Sequence, residues 1–147
     1  MNSLLKETLP DLGVDQESMP LPEEEVRTCV CGLLTNLYPR QETHERRAER
    51  RYPFPYLVQL SPVGEDSLEP IGETVVVVGK HLSERGLGFY HLKPLPYRRM
   101  IVSIEVGNGS WVGFLIDLTW CRFTKQGWYE SGGRFLQIVA SPVSGGR

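Results

Sequence analysis

Long apolar runs, cysteine and charge of one sign are all scarce in this sequence, and each scarcity closes off a class of protein. No stretch approaches the ~20 apolar residues that cross a bilayer as a helix. The first residues show no basic stretch followed by an apolar core, so no secretory leader is expected. The expectation is therefore a cytoplasmic protein with no membrane insertion. Only three cysteines occur, Cys29, Cys31 and Cys121. An odd number outside a secretory setting does not make a disulfide framework. The C-x-C pair offers two of the four ligands that structural zinc takes. Reduced thiols, partly buried on a helix, are expected, with no metal and no cofactor. The formal net charge is -2, too small for a global pull toward a nucleic-acid polymer or an anionic membrane.

Catalytic signatures are equally sparse. There is no G-x-S-x-G, no H-E-x-x-H, no Walker loop and no dinucleotide fingerprint. His44, His81 and His91 lack the spacing of a metal pair on one element. Ser83, His81 and Asp117 could be combined into a nucleophilic set, but any chain of this length offers such a combination. An enzyme is not expected.

What is present points to a small β domain. The 147 residues amount to one domain plus a modest appendage. Fifteen glycines and eleven prolines favour a turn-rich fold. Charge is unevenly spread. Residues 1–45 carry nine acids against three bases, and residues 46–147 carry nine acids against thirteen bases. The acidic front, residues 1–43, is read as an extension. Its first part, broken by Pro10, Gly13 and Pro20, is expected to be a loosely held arm. Residues 22–38 read as one helix, because Val26, Val30, Leu33, Leu34 and Leu37 form a single apolar stripe. Pro22 suits a first helical position, three glutamates complement the helix dipole, and Pro39 stops the helix. The stripe is expected to pack on the domain that follows.

From Tyr52 onward the periodicity becomes two. Six strands are expected at 56–62, 73–82, 87–91, 100–106, 111–123 and 127–139, with turn residues between them. Asn108 and Gly109 form a two-residue hairpin signal, since both tolerate positive φ. Six short antiparallel segments suggest a barrel, whose closure removes exposed edges. The barrel domain is assigned to 44–140 and a frayed tail to 141–147.

Two features carry candidate binding chemistry. The first is Arg46-Arg47-Ala48-Glu49-Arg50-Arg51, just before the first strand. It contains R-x-x-x-R twice, and guanidinium groups bind phosphate bidentately and stack on planar bases. The second is His81-Leu82-Ser83-Glu84-Arg85-Gly86, between two strands. A serine hydroxyl and turn N–H groups there are candidates for an anion-binding nest, and Gly86 permits a sharp turn or close approach.

In this order and on this β pattern, the pair resembles the PilZ domain family. The family is marked by R-x-x-x-R leading into a six-stranded barrel, followed by [D/N]-x-S-x-x-G between two strands. The resemblance covers about residues 44–139, with Arg47…Arg51 in frame with Tyr52-Pro53 and Arg46…Arg50 out of phase. Leu87-Gly88-Phe89 and the closing run through Trp120-Cys121-Arg122-Phe123 and Gly133-Arg134-Phe135-Leu136 look like the family too. The resemblance implies a mainly β, six-stranded antiparallel barrel of the split-barrel type with an N-terminal helical extension. It also implies a bacterial, non-catalytic receptor for cyclic di-GMP that relays the signal to a downstream protein partner. Arg47 and Arg51 would hold phosphates and stack on guanine, Ser83 and Gly86 would add ligand contacts, and Arg46 and Arg50 would assist.

His81 departs from the family, which has Asp or Asn there. A carboxylate accepts from two guanine N–H donors, a neutral imidazole from one and a protonated imidazole from none. His81 is read either as a weakened ligand contact or as a strand residue facing solvent. The alternative function is a degenerate PilZ-type adaptor that binds protein and no nucleotide. A single-strand nucleic-acid barrel is a third reading, disfavoured by the charge balance.

Overall fold

The computed structural model describes residues 21–38 and 50–143. The readings of 1–20 as an arm, of 144–147 as a frayed tail, and of Arg46 and Arg47 as ligand contacts lie outside the described residues. Helix α1 (Pro22–Leu37) begins after Leu21, which is extended at φ -70° and ψ 155°, and carries Glu23, Glu24 and Glu25 in its first turn. Val26, Val30 and Leu34 are buried, while Leu33 and Leu37 are half-buried against the same core. The expected stripe therefore docks along its centre line, and its flanks stay partly wet. Each fully buried aliphatic side chain contributes about 1.5–3 kcal/mol.

Seven strands follow: β1 (Tyr52–Pro53), β2 (Leu57–Pro62), β3 (Val75–Leu82), β4 (Gly86–His91), β5 (Arg99–Gly107), β6 (Ser110–Phe123) and β7 (Tyr129–Val139). The pairings run β3-β2-β5-β6-β7-β4 and return to β3, all antiparallel, so six strands close a barrel. The expected six-stranded barrel with an N-terminal helix is the observed fold. The addition is β1, which pairs with β3 at Tyr52↔Leu82 and Pro53↔His81. Two residues carry no readable periodicity, and Pro53 has no N–H to give, which confines it to an edge. Among the expected bounds, 73–82 shortens to Val75–Leu82. Gly127 leaves its strand because it turns at φ 97°.

The interior is apolar. Val58, Leu60, Leu82, Phe89, Val102, Phe114 and Ile116 join the α1 residues in one core, and Phe114 stacks on Phe135 at 4.5 Å. At its far end α1 meets the barrel through Tyr38, whose hydroxyl donates to the Pro53 carbonyl and whose ring lies 5.8 Å from Tyr52. The helix thus abuts the strand into which the arginine segment leads. No described helix is long and apolar enough to cross a membrane.

Candidate functional site

Strand alternation decides which side chains face outward, and two β-bulges set the detail. One interrupts the β3–β4 register between Gly79 and His81, the other the β6–β7 register between Leu118 and Trp120. A bulge adds an unpaired residue and re-aims its neighbours. Beyond them, one outer row reads Pro53, His81, Gly88, Gly132, Trp120 across five strands.

The two glycines of that row form a backbone floor that rings from the neighbouring strands cover. A Cβ on Gly88 would sit 2.7 Å from the His81 imidazole, and a Cβ on Gly132 would sit 2.6 Å from the Trp120 indole. Each ring therefore lies over a glycine on the neighbouring strand. Trp120 remains 40% exposed, so its outer face can stack against a planar group. Cations border this floor. The charges of Arg51 and Lys80 act on His81, and Arg122 lies on the next outer row. Burial, helped by Arg51 and Lys80, lowers the His81 pKa and keeps the ring neutral at pH 7. His81 is thus neither a freely solvated strand residue nor a charged one.

The neighbouring outer row contains a compensated charge cluster. Glu130 is buried, and its carboxylate accepts from Lys80 and, at 2.9 Å, from Arg122 Nη2. Burial alone would raise the Glu130 pKa, but the hydrogen bonds from both cations outweigh it and hold the group below its usual range. Lys80 also lies 5.6 Å from the Tyr90 ring centre.

The turn between β3 and β4 is built from its own polar groups. Ser83 is buried, and its Oγ accepts from the N–H groups of Arg85 and Gly86, both at 3.2 Å. The Ser83 N–H donates to the Gly86 carbonyl at 2.9 Å. The donors expected to form an anion nest therefore already have an acceptor in Ser83. Gly86 is needed for packing, because a Cβ there would lie 2.0 Å from the Gly133 carbonyl oxygen on β7. Glu84, at the centre of the turn, faces α1. It pairs with Arg27 Nε at 3.4 Å and accepts from Cys31 Sγ at 3.2 Å. Burial and the Glu84 carboxylate push the Cys31 thiol up to about 11. All three cysteines are free.

The structure thus brings Arg51, His81, Ser83 and Gly86 to one end of the β3–β4 hairpin, and sets the Arg50 guanidinium 5.2 Å from the Tyr52 ring centre. It does not assemble the Ser83, His81, Asp117 set. Asp117 accepts from Arg98 Nε at 2.8 Å and Arg99 Nε at 3.2 Å, and Ser83 bonds within its own turn. Sequence reasoning missed Trp120 as a site residue and missed the pairing of Gly88 with Gly132. The glycines were visible signals, but the rings that cover them come from other strands. Among the described residues there is no cluster of three or more metal-ligating side chains.

No protein-family model matches the chain, and no curated protein matches it. Among solved structures it is similar to the Bacillus subtilis inhibitor of motility, MotI/DgrA, at 14% identity and a TM-score of 0.48. The match covers 65% of this chain and 45% of that one, so the chain spans less than half of that protein.

Proposed function

We propose that this barrel is a PilZ-type receptor for cyclic di-GMP that turns nothing over and acts by changing the surface it offers to a protein partner. The observation that carries this reading is the shared outer face of Arg51, His81, the Gly88–Gly132 floor and Trp120. A planar guanine can stack against the exposed face of the Trp120 indole, beside the rings that lie over the two glycines. The arginines meet its phosphates through charge-assisted hydrogen bonds worth about 1.5–3 kcal/mol each. Arg51 supplies one guanidinium beside His81, Arg47 the second, and Arg46 and Arg50 assist. Ser83 and Gly86 act by shaping the turn that sets His81 and Gly88 in place. The signal passes to α1 through Glu84, which belongs to the turn and grips Arg27 and Cys31.

Calorimetric titration with cyclic di-GMP, with GTP and cyclic AMP as controls, tests the reading. Wild type should bind only the cyclic dinucleotide, and Arg51→Ala should weaken binding by roughly ten- to hundredfold. His81→Asp should tighten it, because a carboxylate accepts from two guanine donors. Absence of binding by wild type and His81→Asp alike would leave the adaptor reading in its place. One observation favours that second reading, namely that the Ser83 hydroxyl and the turn N–H groups already satisfy each other.

A further inference from the structure

The seam between β3 and β4 closes along only part of β3. Val75, Val76 and Val77 pair with β2, while pairing with β4 stops at Val78↔Tyr90. The Gly79 N–H donates to the Tyr56 carbonyl on the β2 side. Backbone groups alternate sides along a strand, so Val76 turns its N–H and C=O toward the side that β4 leaves. Continuing the register would set Leu92 opposite Val76 and Pro94 opposite Thr74. Pro94 has no N–H to give, and β4 ends at His91. Among the described residues no backbone bond reaches Val76 from the 92–98 segment. Ladder groups left open in this way are a template for another strand.

The space beside that edge is an apolar groove of about 400 Å³, within the range of clefts that hold a ligand. β3 forms one wall, and Tyr90, Leu92 and Leu95 form the other. Val76 is 58% exposed and Leu92 77%, so the groove is open to solvent. Helix α1 is docked elsewhere, against β7. The two walls admit a single extended chain and keep out the edge of a second barrel, which carries its own sheet behind it. Charge narrows the occupant further. Lys93 lines the groove and no acid does. The adjoining cavity beyond Tyr90 adds Lys80, Arg122 and Lys125, and its one acid, Glu130, is already engaged by Lys80 and Arg122. Glu73, just before β3, lines neither cavity. Carboxylates on an incoming segment therefore meet a field of opposite sign.

We propose that this groove takes an extended segment of a partner protein, added as a strand along residues 75–77, with apolar side chains turned toward Val77 and Leu95 and carboxylates between them. Main-chain bonds to Val76 supply the grip, and the apolar walls and Lys93 select the sequence. Docking here needs no nucleotide, so the test omits it and leaves the cyclic di-GMP reading untouched. The probe is a fluorescent peptide of alternating valine and glutamate, about eight residues long, mixed with the full chain and followed by anisotropy. It should bind at least about tenfold more tightly than its valine–lysine counterpart, and Lys93→Glu should erase most of that preference. Leu92→Asp should weaken binding by about tenfold at an unchanged melting temperature, because that side chain stands in solvent. Methylating every peptide nitrogen of the probe keeps its side chains and removes its ladder donors, and should abolish binding. Equal binding of the valine–glutamate and valine–lysine peptides, or of the methylated peptide and its parent, would overturn the proposal, as would binding of none of them. So would sedimentation showing a wild-type dimer that Leu92→Asp dissolves, which would assign the edge to a second copy.

Discussion

The β3–β4 and β5–β6 hairpins reverse the chain by opposite means. At the β5–β6 turn, Gly107 pairs with Ser110 and the loop is Asn108 and Gly109, at φ 55° and 77°. A Cβ on Gly109 would meet nothing within 4 Å, so glycine serves there for its left-handed backbone alone. At the β3–β4 turn, Gly86 has no left-handed φ, and glycine serves there because β7 backbone occupies the place of a side chain. One turn is fixed by local conformational preference, the other by hydrogen bonds and by a strand more than forty residues away. The first needs only a dipeptide. The second needs the whole barrel, and it is the one beside the candidate site.

Substitutions separate the two turns, and Gly86→Ala has the largest expected effect. Its Cβ meets backbone, which cannot swing aside, so the β4–β7 seam must shift at a cost of about 3 kcal/mol or more. Melting should drop by roughly 6–12 °C at this chain length. A circular-dichroism melt within 2 °C of wild type would mean that the seam is looser than the geometry requires. Ser83→Ala comes next. It leaves the N–H groups of Arg85 and Gly86 without their acceptor, at about 1–3 kcal/mol. Urea unfolding should show a lower midpoint with an unchanged slope, and an unmoved midpoint would show that water replaces the hydroxyl at no loss. Gly109→Ala should cost about 1–2 kcal/mol for a left-handed alanine. Gly109→Asn should cost less than half of that, because asparagine tolerates this conformation. Equal losses for the two would put the cause in packing.

The smallest effect is that of pH. Both histidines among the described residues, His81 and His91, lie in the β3–β4 hairpin. Burial lowers the pKa of both, aided at His81 by Arg51 and Lys80 and opposed at His91 by its bond to the Lys93 carbonyl. His91 Nδ1 faces that carbonyl at 2.7 Å, so it carries the proton, and Nε2 accepts from Ser131 Oγ at 2.7 Å. With folded pKa values below the unfolded value near ~6.5, the unfolded chain binds protons first as pH falls. The stability from neutral histidine is full above ~6.5 and is lost as pH falls through the folded values. Hydrogen exchange should therefore show β3–β4 amides losing protection from about pH 6.5 downward, with β5–β6 amides unaffected until carboxylates protonate. Parallel loss in both hairpins would refute a local histidine effect.

Legibility in the sequence followed the same division. Elements with a local cause were read closely. The apolar stripe and flanking prolines placed the helix at 22–38, against Pro22–Leu37 observed. Asn108 and Gly109 gave the β5–β6 turn, and alternation gave the six barrel strands. Features with a distant cause were not legible. Nothing in the string says that Gly86 abuts Gly133, that Trp120 lies over Gly132, or that Glu130 is held by Lys80 and Arg122. These are cross-strand facts, set by register and by two bulges that have no sequence signature of their own. Ser83 shows the risk of reading a motif by type alone, since its hydroxyl closes the turn that carries it.

The rings lying over Gly88 and Gly132 have a kinetic consequence. His81 and Trp120 cover that floor with side chains, and neither is anchored there by a backbone ladder bond. Uncovering it takes rotations of a half-buried imidazole and a partly exposed indole and no rearrangement of a hydrogen-bonded strand. A planar molecule arriving at this face would therefore meet no slow opening step. Its on-rate would be governed by encounter and electrostatic steering from the bordering cations, and would fall with added salt.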